Sequence, residues 1–453
     1  MEAEMSPSIL ANIIHPLRTI LTEEKATTKI MGFNTDTRNL KPGEVFIALS
    51  GENFDGHQFI EQALQSGASG LILKESFSGK VSADVPQFYV KNTLTAYQQI
   101  AHWWRQQYAI PVIAITGSVG KTTTKELMAA ALGKYGQVLK TEANDNNEIG
   151  VPKTLLGLTS EHDFAVIEMA MRAKGEIAQL TQIAQPSIGV ITNVGTAHIG
   201  RLGSRQAIAQ AKCELLAEMP SDGIAILNYD NQRLMDTART VWTGKTITYG
   251  LEGGDILGEL IDPETLKVDN QTFPLPLSGT HNASNYLATL AVATALNLDL
   301  NQLKTEISVT LPGARSRRYS LPNDILLLDE TYNAGVESMI AGLELLKATS
   351  GDRHIAVLGT MKELGNQSAA LHRQVGETVA KLNLDQVFIL VDEPETEEIA
   401  NAAYPVKSEC FKDKMQLAQR LKEILVPRDR VLFKASNSVG LGDILKQIKE
   451  EIN

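Results

Sequence analysis

The chain alternates short apolar runs with longer segments in which apolar residues recur at helical spacing. In the first stretch, GEVFIAL (43–49), GLILK (70–74) and QFYVK (87–91) read as strands. FIEQALQSGA reads as a helix between the first two, and TLTAYQQIAHWWRQQ closes the unit, with Trp103 and Trp104 assigned to packing. A second unit opens on IAITGSVGKTTT (113–124), in which four residues end a buried strand and Leu127, Met128, Ala131 and Leu132 form the apolar face of the next helix. VLKT, FAVIEMA, SIGVITNV and GIAILNYD follow as strands, QAIAQAKCELL as a helix, and 245–277 as short strands with turns. HNASNYLATLAVATAL (281–296) is a helix with an apolar body. The pattern changes near 311–313. Beyond it, DILLLDE, RHIAVLG, QVFILV, KSECF and RVLFKAS alternate with helices, which predicts a parallel, doubly wound sheet. The expectation is an α/β protein of three units: 1–109, 110–311 and 312–453.

Length supports this division, because 453 residues exceed one ordinary core. A hydrophobic content of 43% with 21% charged residues describes a globular chain. The formal charge of −11 argues against broad nucleic-acid or anionic-membrane binding, which needs a basic surface. The only two cysteines, Cys213 and Cys410, suit a reducing compartment and make neither a disulfide framework nor a zinc site. The opening MEAEMSPSIL lacks a basic region followed by an apolar run, and no apolar stretch reaches membrane-spanning length. A cytoplasmic monomer is expected.

The chemistry concentrates around Gly117, Ser118, Val119, Gly120, Lys121, Thr122 and Thr123. Strand, glycine turn and helix N-terminus together make a phosphate cradle, with a mobile cation in Lys121 and a hydroxyl for Mg²⁺ in Thr122. The pattern is GxxGKT, shorter than GxxxxGK[ST], because Ile115 stands where the first glycine belongs. The competing reading is a helix-capping turn; the strand before and helix after favour phosphate. Glu168 ends the FAVIE run and His198 follows SIGVITNV, so both fall at the carboxyl ends of strands, where ligands gather in open α/β sheets. The alternative for Glu168 is a strand-end charge facing solvent, and for Lys212 a surface lysine. Asn282 and Asn285 either cap their helix or read a purine edge. Asn144, Asn146 and Asn147 precede Gly150 and Pro152 as a turn cluster. NTDTR (34–38) and GENFDGH (51–57) are polar clusters for which the ordinary reading is a solvated loop, but Thr35, Asp36, Thr37 and Arg38 gather hydroxyls, a carboxylate and a guanidinium suited to a sugar or phosphate.

Taken in order, TDTR, FIALSGENFDGHQFI, TGSVGKTTTKE, NNEIGVPKTLL, the glutamate of IEMAM, NVGTAHI, the lysine of AKCE, HNASN, DETYNAGVESM, LGTMKELG and KASNSVGL cover nearly the whole chain. In this order the chain resembles the Mur ligases, ATP-dependent enzymes that build the peptide of bacterial cell-wall precursors, and most of all their D-alanyl-D-alanine-adding branch. The family's phosphate loop also lacks the first glycine. The resemblance implies a small α/β UDP-precursor domain, a central P-loop ATPase α/β domain and a C-terminal Rossmann-like α/β domain. It implies UDP-N-acetylmuramoyl-tripeptide and D-alanyl-D-alanine as substrates, with ATP and Mg²⁺.

The resemblance also implies residue roles. Lys121 contacts the ATP phosphates, and Thr122, Glu168 and His198 organise Mg²⁺. Lys212 matches a lysine carbamylated in some members, where the added carboxylate supports a second metal. Asn282, Asn285 and Asp329 hold the nucleoside, and Arg315 of the ARSRR run approaches the phosphates. Thr35, Asp36, Thr37, Arg38, Asn144, Asn146 and Asn147 fall on the UDP-precursor side, and Tyr332, Asn333, Lys434 and Ser436 on the acceptor side. Thr360, Ala435, Asn437, Glu330 and Gly335 depart from the family pattern, all in the third unit. Rival readings are a ligase of the same family with another amine acceptor, a folylpolyglutamate-synthase-like enzyme, a P-loop ATPase without ligase activity, and a silent binding protein.

Overall fold

The computed structural model describes residues 4–51, 54–313 and 315–452; Glu52 and Asn53 of the GENFDGH cluster and Ala314 of the ARSRR run lie outside the described residues. Three sheets follow one another along the chain. The first runs in the order β1 (Arg18–Ile20), β5 (Gln87–Val90), β4 (Gly70–Lys74), β3 (Glu44–Ile47) and β2 (Gly32–Asn34). Its strands are parallel except β1, which pairs antiparallel with β5. Val45 and Ile47 face one apolar cluster with Leu10, Tyr97 and Ile100, and Phe46 and Ala48 face the other with Ile60 and Ala63. A strand buried on both faces has no polar side to show, and this is why GLILK and QFYV read as unbroken apolar runs.

The second sheet has nine strands. In spatial order they are β14 (Gln271–Pro274), β13 (Thr265–Val268), β12 (Ile256–Asp262), β11 (Lys245–Gly250), β10 (Ile224–Asn228), β9 (Ile188–Ile191), β6 (Val112–Thr116), β8 (Phe164–Glu168) and β7 (Val138–Lys140). The strands from β7 to β12 are parallel, and β13 and β14 add an antiparallel extension. β6 lies between β9 and β8, where the strand order reverses, and this opens a crevice at its carboxyl end. Ile113, Ile115, Val166, Val190 and Ile226 pack against Leu127, Met128, Leu287 and Leu290 on one face. Ala114, Ile167, Ile191 and Leu227 pack against Ile177, Leu180, Ile208 and Leu215 on the other. The Thr93–Gln106 helix ties the first unit to the second: Trp104 donates its indole N–H to Leu158 O at 3.1 Å, and Gln98 donates to Glu148 O at 3.0 Å. Trp104 is a packing residue, as expected.

The third sheet runs β15 (Arg317–Leu321), β16 (Ile325–Asp329), β20 (Asp429–Lys434), β17 (Arg353–Gly359), β18 (Gln386–Leu390) and β19 (Lys407–Phe411). The five strands expected to alternate with helices, β16 to β20, are parallel, and β15, absent from that expectation, adds an antiparallel edge beside β16. Asn323 (φ +61) and Asp324 (φ +56) reverse the chain between them, and a link that short can only return an antiparallel strand. Charged Arg317 and Arg318 hide the strand from an apolar-run reading. Ile199 and Leu202 of the second unit share an apolar cluster with Met361 and Leu364 of the third.

Candidate active site

The loop after β6 is built around its glycines. A Cβ on Gly117 would lie 1.9 Å from Thr192 Oγ1, and one on Gly120, at φ +83, would lie 2.6 Å from Asn285 Oδ1. The end of β9 holds the loop from behind. Ser118 N donates to Asn193 O at 3.1 Å, Val119 N to Asn193 Oδ1 at 3.0 Å, and Thr192 Oγ1 donates to Val119 O at 2.7 Å. No side chain caps the Lys121–Leu132 helix, so its first-turn N–H groups point at whatever the loop encloses. Lys121 folds back over the loop, its Nζ 2.8 Å from Gly117 O and 3.4 Å from Ser118 O. Burial holds its ammonium below the usual lysine range; Glu168 opposes that shift and Arg315 adds to it.

Glu168 is 1% exposed, which removes the solvent-facing alternative. Its Oε1 accepts from Thr122 Oγ1 at 3.2 Å and from Asn146 Nδ2 at 2.7 Å. Its Oε2 is buried without a hydrogen bond, and Lys125 Nζ stands 3.8 Å away. A buried carboxylate oxygen left unsatisfied is costly unless a ligand meets it. With the Thr122 hydroxyl alongside, the donor set is oxygen only and suits a hard divalent cation such as Mg²⁺. Among the described residues no three His, Cys, Asp or Glu side chains gather closely enough to hold a metal by themselves. That is the expected state for Mg²⁺, which keeps waters and takes substrate phosphate oxygens.

Lys125 is a residue the sequence reading missed. It is fully buried, donates to Thr141 O at 2.7 Å and Ala143 O at 3.1 Å, and pairs with Glu126 at 3.0 Å. Its signal was its spacing, four residues after Lys121 on one helix face.

His198 and Lys212 come from the next elements. His198 sits at φ +64 before the Ile199–Leu202 turn of helix, and its Nδ1 lies 2.7 Å from Glu363 Oε2 in the third unit. Burial holds the imidazole below its ordinary pKa; Glu363 opposes the shift, and Lys121 and Lys212 reinforce it. Lys212, on the Arg205–Glu218 helix, is 2% exposed and not a surface lysine. Burial, and after it the charge of Lys121, holds its amine well below the usual range.

The helical asparagines do not cap. Their helix, Thr280–Ala295, is capped by Gly279, and both side chains lie inside it. Asn282 donates to Ser278 O at 2.9 Å and lines a cavity of about 240 Å³ with Leu277, Ser316, Arg317, Glu330 and Leu345. Asn285 instead abuts Gly120 of the phosphate loop. Asp329 is buried and turned inward, its Oδ1 accepting from Thr331 N at 3.1 Å and Thr331 Oγ1 at 2.7 Å. The Arg315 guanidinium stacks on Tyr332, 3.4 Å from the ring centre, and donates to Pro312 O at 3.0 Å. Lys434 Nζ donates to Asn333 O at 3.0 Å, and burial holds its pKa down against the pull of Glu330. Ser436 Oγ accepts from Lys362 N at 2.9 Å.

The departures from the family pattern have local partners. Thr360 is fully buried, its hydroxyl 2.7 Å from that of Thr396. Glu330 accepts from Ser316 N at 3.1 Å, and Gly335 N donates to Ser338 Oγ at 3.0 Å at a helix start. Asn437 begins the short helix Asn437–Val439, and Ala435 is buried against Gly359.

In the first unit Asp36 and Arg38 form an ion pair at 2.6 Å, with the Arg38 side chain 82% exposed and Thr37 buried. Asn147 accepts from Gly150 N at 2.9 Å, fixing the turn before the Gly150–Leu155 helix, and Asn144 is exposed. Asn146 departs from its expected company by reaching Glu168. Lys153, just beyond, pairs with Asp145 at 2.7 Å and is close enough to lower the Asp36 pKa, behind the larger effect of Arg38. The 144–153 segment therefore spans from the phosphate loop to the Asp36 cluster.

A glycine phosphate loop, a buried carboxylate with an oxygen that no hydrogen bond satisfies, a half-buried histidine and a buried lysine define a phosphoryl-handling α/β enzyme. Models of the Mur ligase family catalytic domain, the Mur ligase middle domain, and the Mur ligase glutamate ligase domain match residues 29–105, 115–293 and 315–437. The chain belongs to the Mur ligase family. It is 56% identical to the UDP-N-acetylmuramoyl-tripeptide--D-alanyl-D-alanine ligase of Synechocystis sp. across 93% of each chain. It is 36% identical to the enzyme of that name from Escherichia coli, across 92% of this chain and 93% of that one. Its fold matches a crystal structure of MurF from Acinetobacter baumannii with a TM-score of 0.88 at 29% identity, over 99% of both chains. It also matches MurF ligase from Thermotoga maritima in complex with ADP, with a TM-score of 0.82 at 30% identity, over 93% of this chain and 98% of that one.

Proposed function

We propose that this chain joins D-alanyl-D-alanine to UDP-N-acetylmuramoyl-tripeptide at the expense of ATP, in peptidoglycan precursor synthesis. The observation that carries the reading is the Thr122–Glu168 pair with its unused carboxylate oxygen at the mouth of the phosphate loop. Likeness to D-alanyl-D-alanine ligases along the whole chain supplies the substrates.

The units divide near 109 and 311 into precursor, ATPase and closing domains. A peptide carboxylate is a poor acylating agent. Its oxygen attacks the γ-phosphorus of ATP, the bond to the β-phosphate oxygen breaks, and ADP leaves an acyl phosphate. The amine of D-alanyl-D-alanine then attacks the acyl carbon, the tetrahedral intermediate expels phosphate, and the amine proton passes to solvent or phosphate. Lys121 swings from its loop carbonyls onto the transferred phosphoryl group, and the free N–H groups of its helix hold the other phosphate oxygens. Thr122, Glu168 and His198 would hold Mg²⁺, and a carbamylated Lys212 would support a second metal; bound metal would supply charge neutralisation. Asn282, which lines a cavity, holds the nucleoside together with Asn285 and Asp329. Arg315 approaches the phosphates, and Tyr332, Asn333, Lys434 and Ser436 face the acceptor. Seating of the third domain excludes water, which would otherwise hydrolyse the acyl phosphate. Among the described residues no helix is long and apolar enough to cross a membrane, and we place the reaction in the cytoplasm, on a monomer.

The test is phosphate release from MgATP with the UDP-tripeptide, with and without D-alanyl-D-alanine, while product mass is followed. Release that needs both substrates, with a mass gain of one dipeptide less water, is expected. Release without a new amide would overturn the reading in favour of an ATPase or another amine acceptor.

On the precursor side, Thr35, Asp36, Thr37 and Arg38 bind the UDP moiety together with Asn144 and Asn147, while Asn146 serves Glu168. Arg38→Ala should raise KM for the UDP-tripeptide about tenfold while KM for MgATP moves less than twofold. The exposed guanidinium makes no contact across the fold, so the melting temperature should hold. Equal shifts in both KM values would move the UDP site elsewhere.

A further inference from the structure

Glu363 reaches across from the third unit to the ring of His198. Its Oε2 lies 2.7 Å from His198 Nδ1, its Oε1 accepts from Arg201 Nη2 at 2.9 Å, and its carbonyl accepts from Gly200 N at 3.0 Å. The fit is close. A Cβ on Gly200 would lie 2.7 Å from both Glu363 O and Gly365 N, and one on Gly365 would lie 2.8 Å from Gly200 Cα. Glu363 (φ +63) and His198 (φ +64) both adopt the left-handed backbone that non-glycine residues avoid. A second tie, Thr196 Oγ1 to Glu337 Oε2 at 2.9 Å, holds the same face. Two strained residues meeting through one carboxylate are more specific than a surface ion pair requires.

The chemistry follows from the imidazole's two nitrogens. A neutral ring carries one proton, and the partner of one nitrogen decides the role of the other. A carboxylate at Nδ1 makes Nδ1 the donor and leaves Nε2 as a lone-pair acceptor. We propose that Glu363 is a positioning residue: it fixes His198 in the tautomer whose Nε2 is free for the nucleotide site, and supplies this only when the third domain is seated. The proposal rests on the ligase reading of His198, and it couples domain seating to competence of the ATP site.

Substrate-free ¹⁵N-histidine spectra of the whole chain test the tautomer, with His198→Gln assigning the signal. The wild type should show His198 protonated at Nδ1, and Glu363→Ala should shift the proton toward Nε2. Glu363→Gln keeps an acceptor and should keep the tautomer. In turnover, Glu363→Ala should lower kcat by 10- to 100-fold with KM for MgATP within about threefold, and Glu363→Gln should recover most of the loss. Arg201→Ala, which removes the other half of the contact, should keep both the tautomer and most of kcat. An unchanged tautomer in Glu363→Ala, or an Arg201→Ala loss as large as that of Glu363→Ala, would overturn the proposal in favour of a simple interdomain clamp. The spectra need no substrate, so a failed ligase assay of the wild type strikes the functional reading and leaves this measurement standing.

Discussion

Lys121→Ala should lower ligation by on the order of 10³-fold while the protein stays folded. Among the described residues the side chain hydrogen-bonds to Gly117 O and Ser118 O, two carbonyls of its own loop. Those contacts park the ammonium; they do not hold domains together. Its pKa is pushed below the usual lysine value by burial. The sign then follows by linkage. Between the lowered value and about 10.5 the unfolded chain binds a proton that the folded chain releases, so this group opposes folding as pH falls through that window. Removing it should leave the melting temperature level or slightly raised. Phosphate release measured beside a thermal melt checks both halves. Retained turnover would remove the loop from the chemistry, and a collapsed melt would show that Lys121 is structural.

The parts of this site written within one element were legible in the sequence. The phosphate loop needs a strand, two glycines and a helix start in twelve consecutive residues, so IAITGSVGKTTT exposes it. Glu168 was legible because a carboxylate ending an apolar run falls at a sheet edge. What a residue meets across the fold was not. Asn146 reads as one of three turn asparagines, yet its amide goes to Glu168, because β7 and β8 are neighbours and the loop leaving β7 passes over the end of β8. Lys125 drew no reading from the sequence, and only the fold closes the Thr141 and Ala143 carbonyls over it. β15 failed the apolar-run test because an edge strand exposed on one side can carry Arg317 and Arg318. Glu363 meets His198 at a separation of 165 residues, in another domain, and no local pattern encodes that.

Lys212→Ala carries the second large effect. Turnover should fall by about 100-fold, and short-chain carboxylic acids such as formate or acetate should restore part of it. Burial is the starting point: an ammonium 2% exposed, beside the charge of Lys121, is disfavoured, and this holds the amine's pKa well below its usual range. A neutral amine has a lone pair that attacks CO₂. In carbamylation the N–C bond would form, one C–O π pair would move to oxygen and a proton would leave, so that the site would gain a carboxylate. That carboxylate would add a hard oxygen donor to the pair that Thr122 and Glu168 already supply. An alanine at 212 leaves room for a small carboxylate to take the same place. Rescue that saturates with acid concentration, and that the wild type does not share, would assign the carbamate. Loss without rescue would leave Lys212 as a buried base acting through its nitrogen, and full activity in the variant would remove it from the reaction.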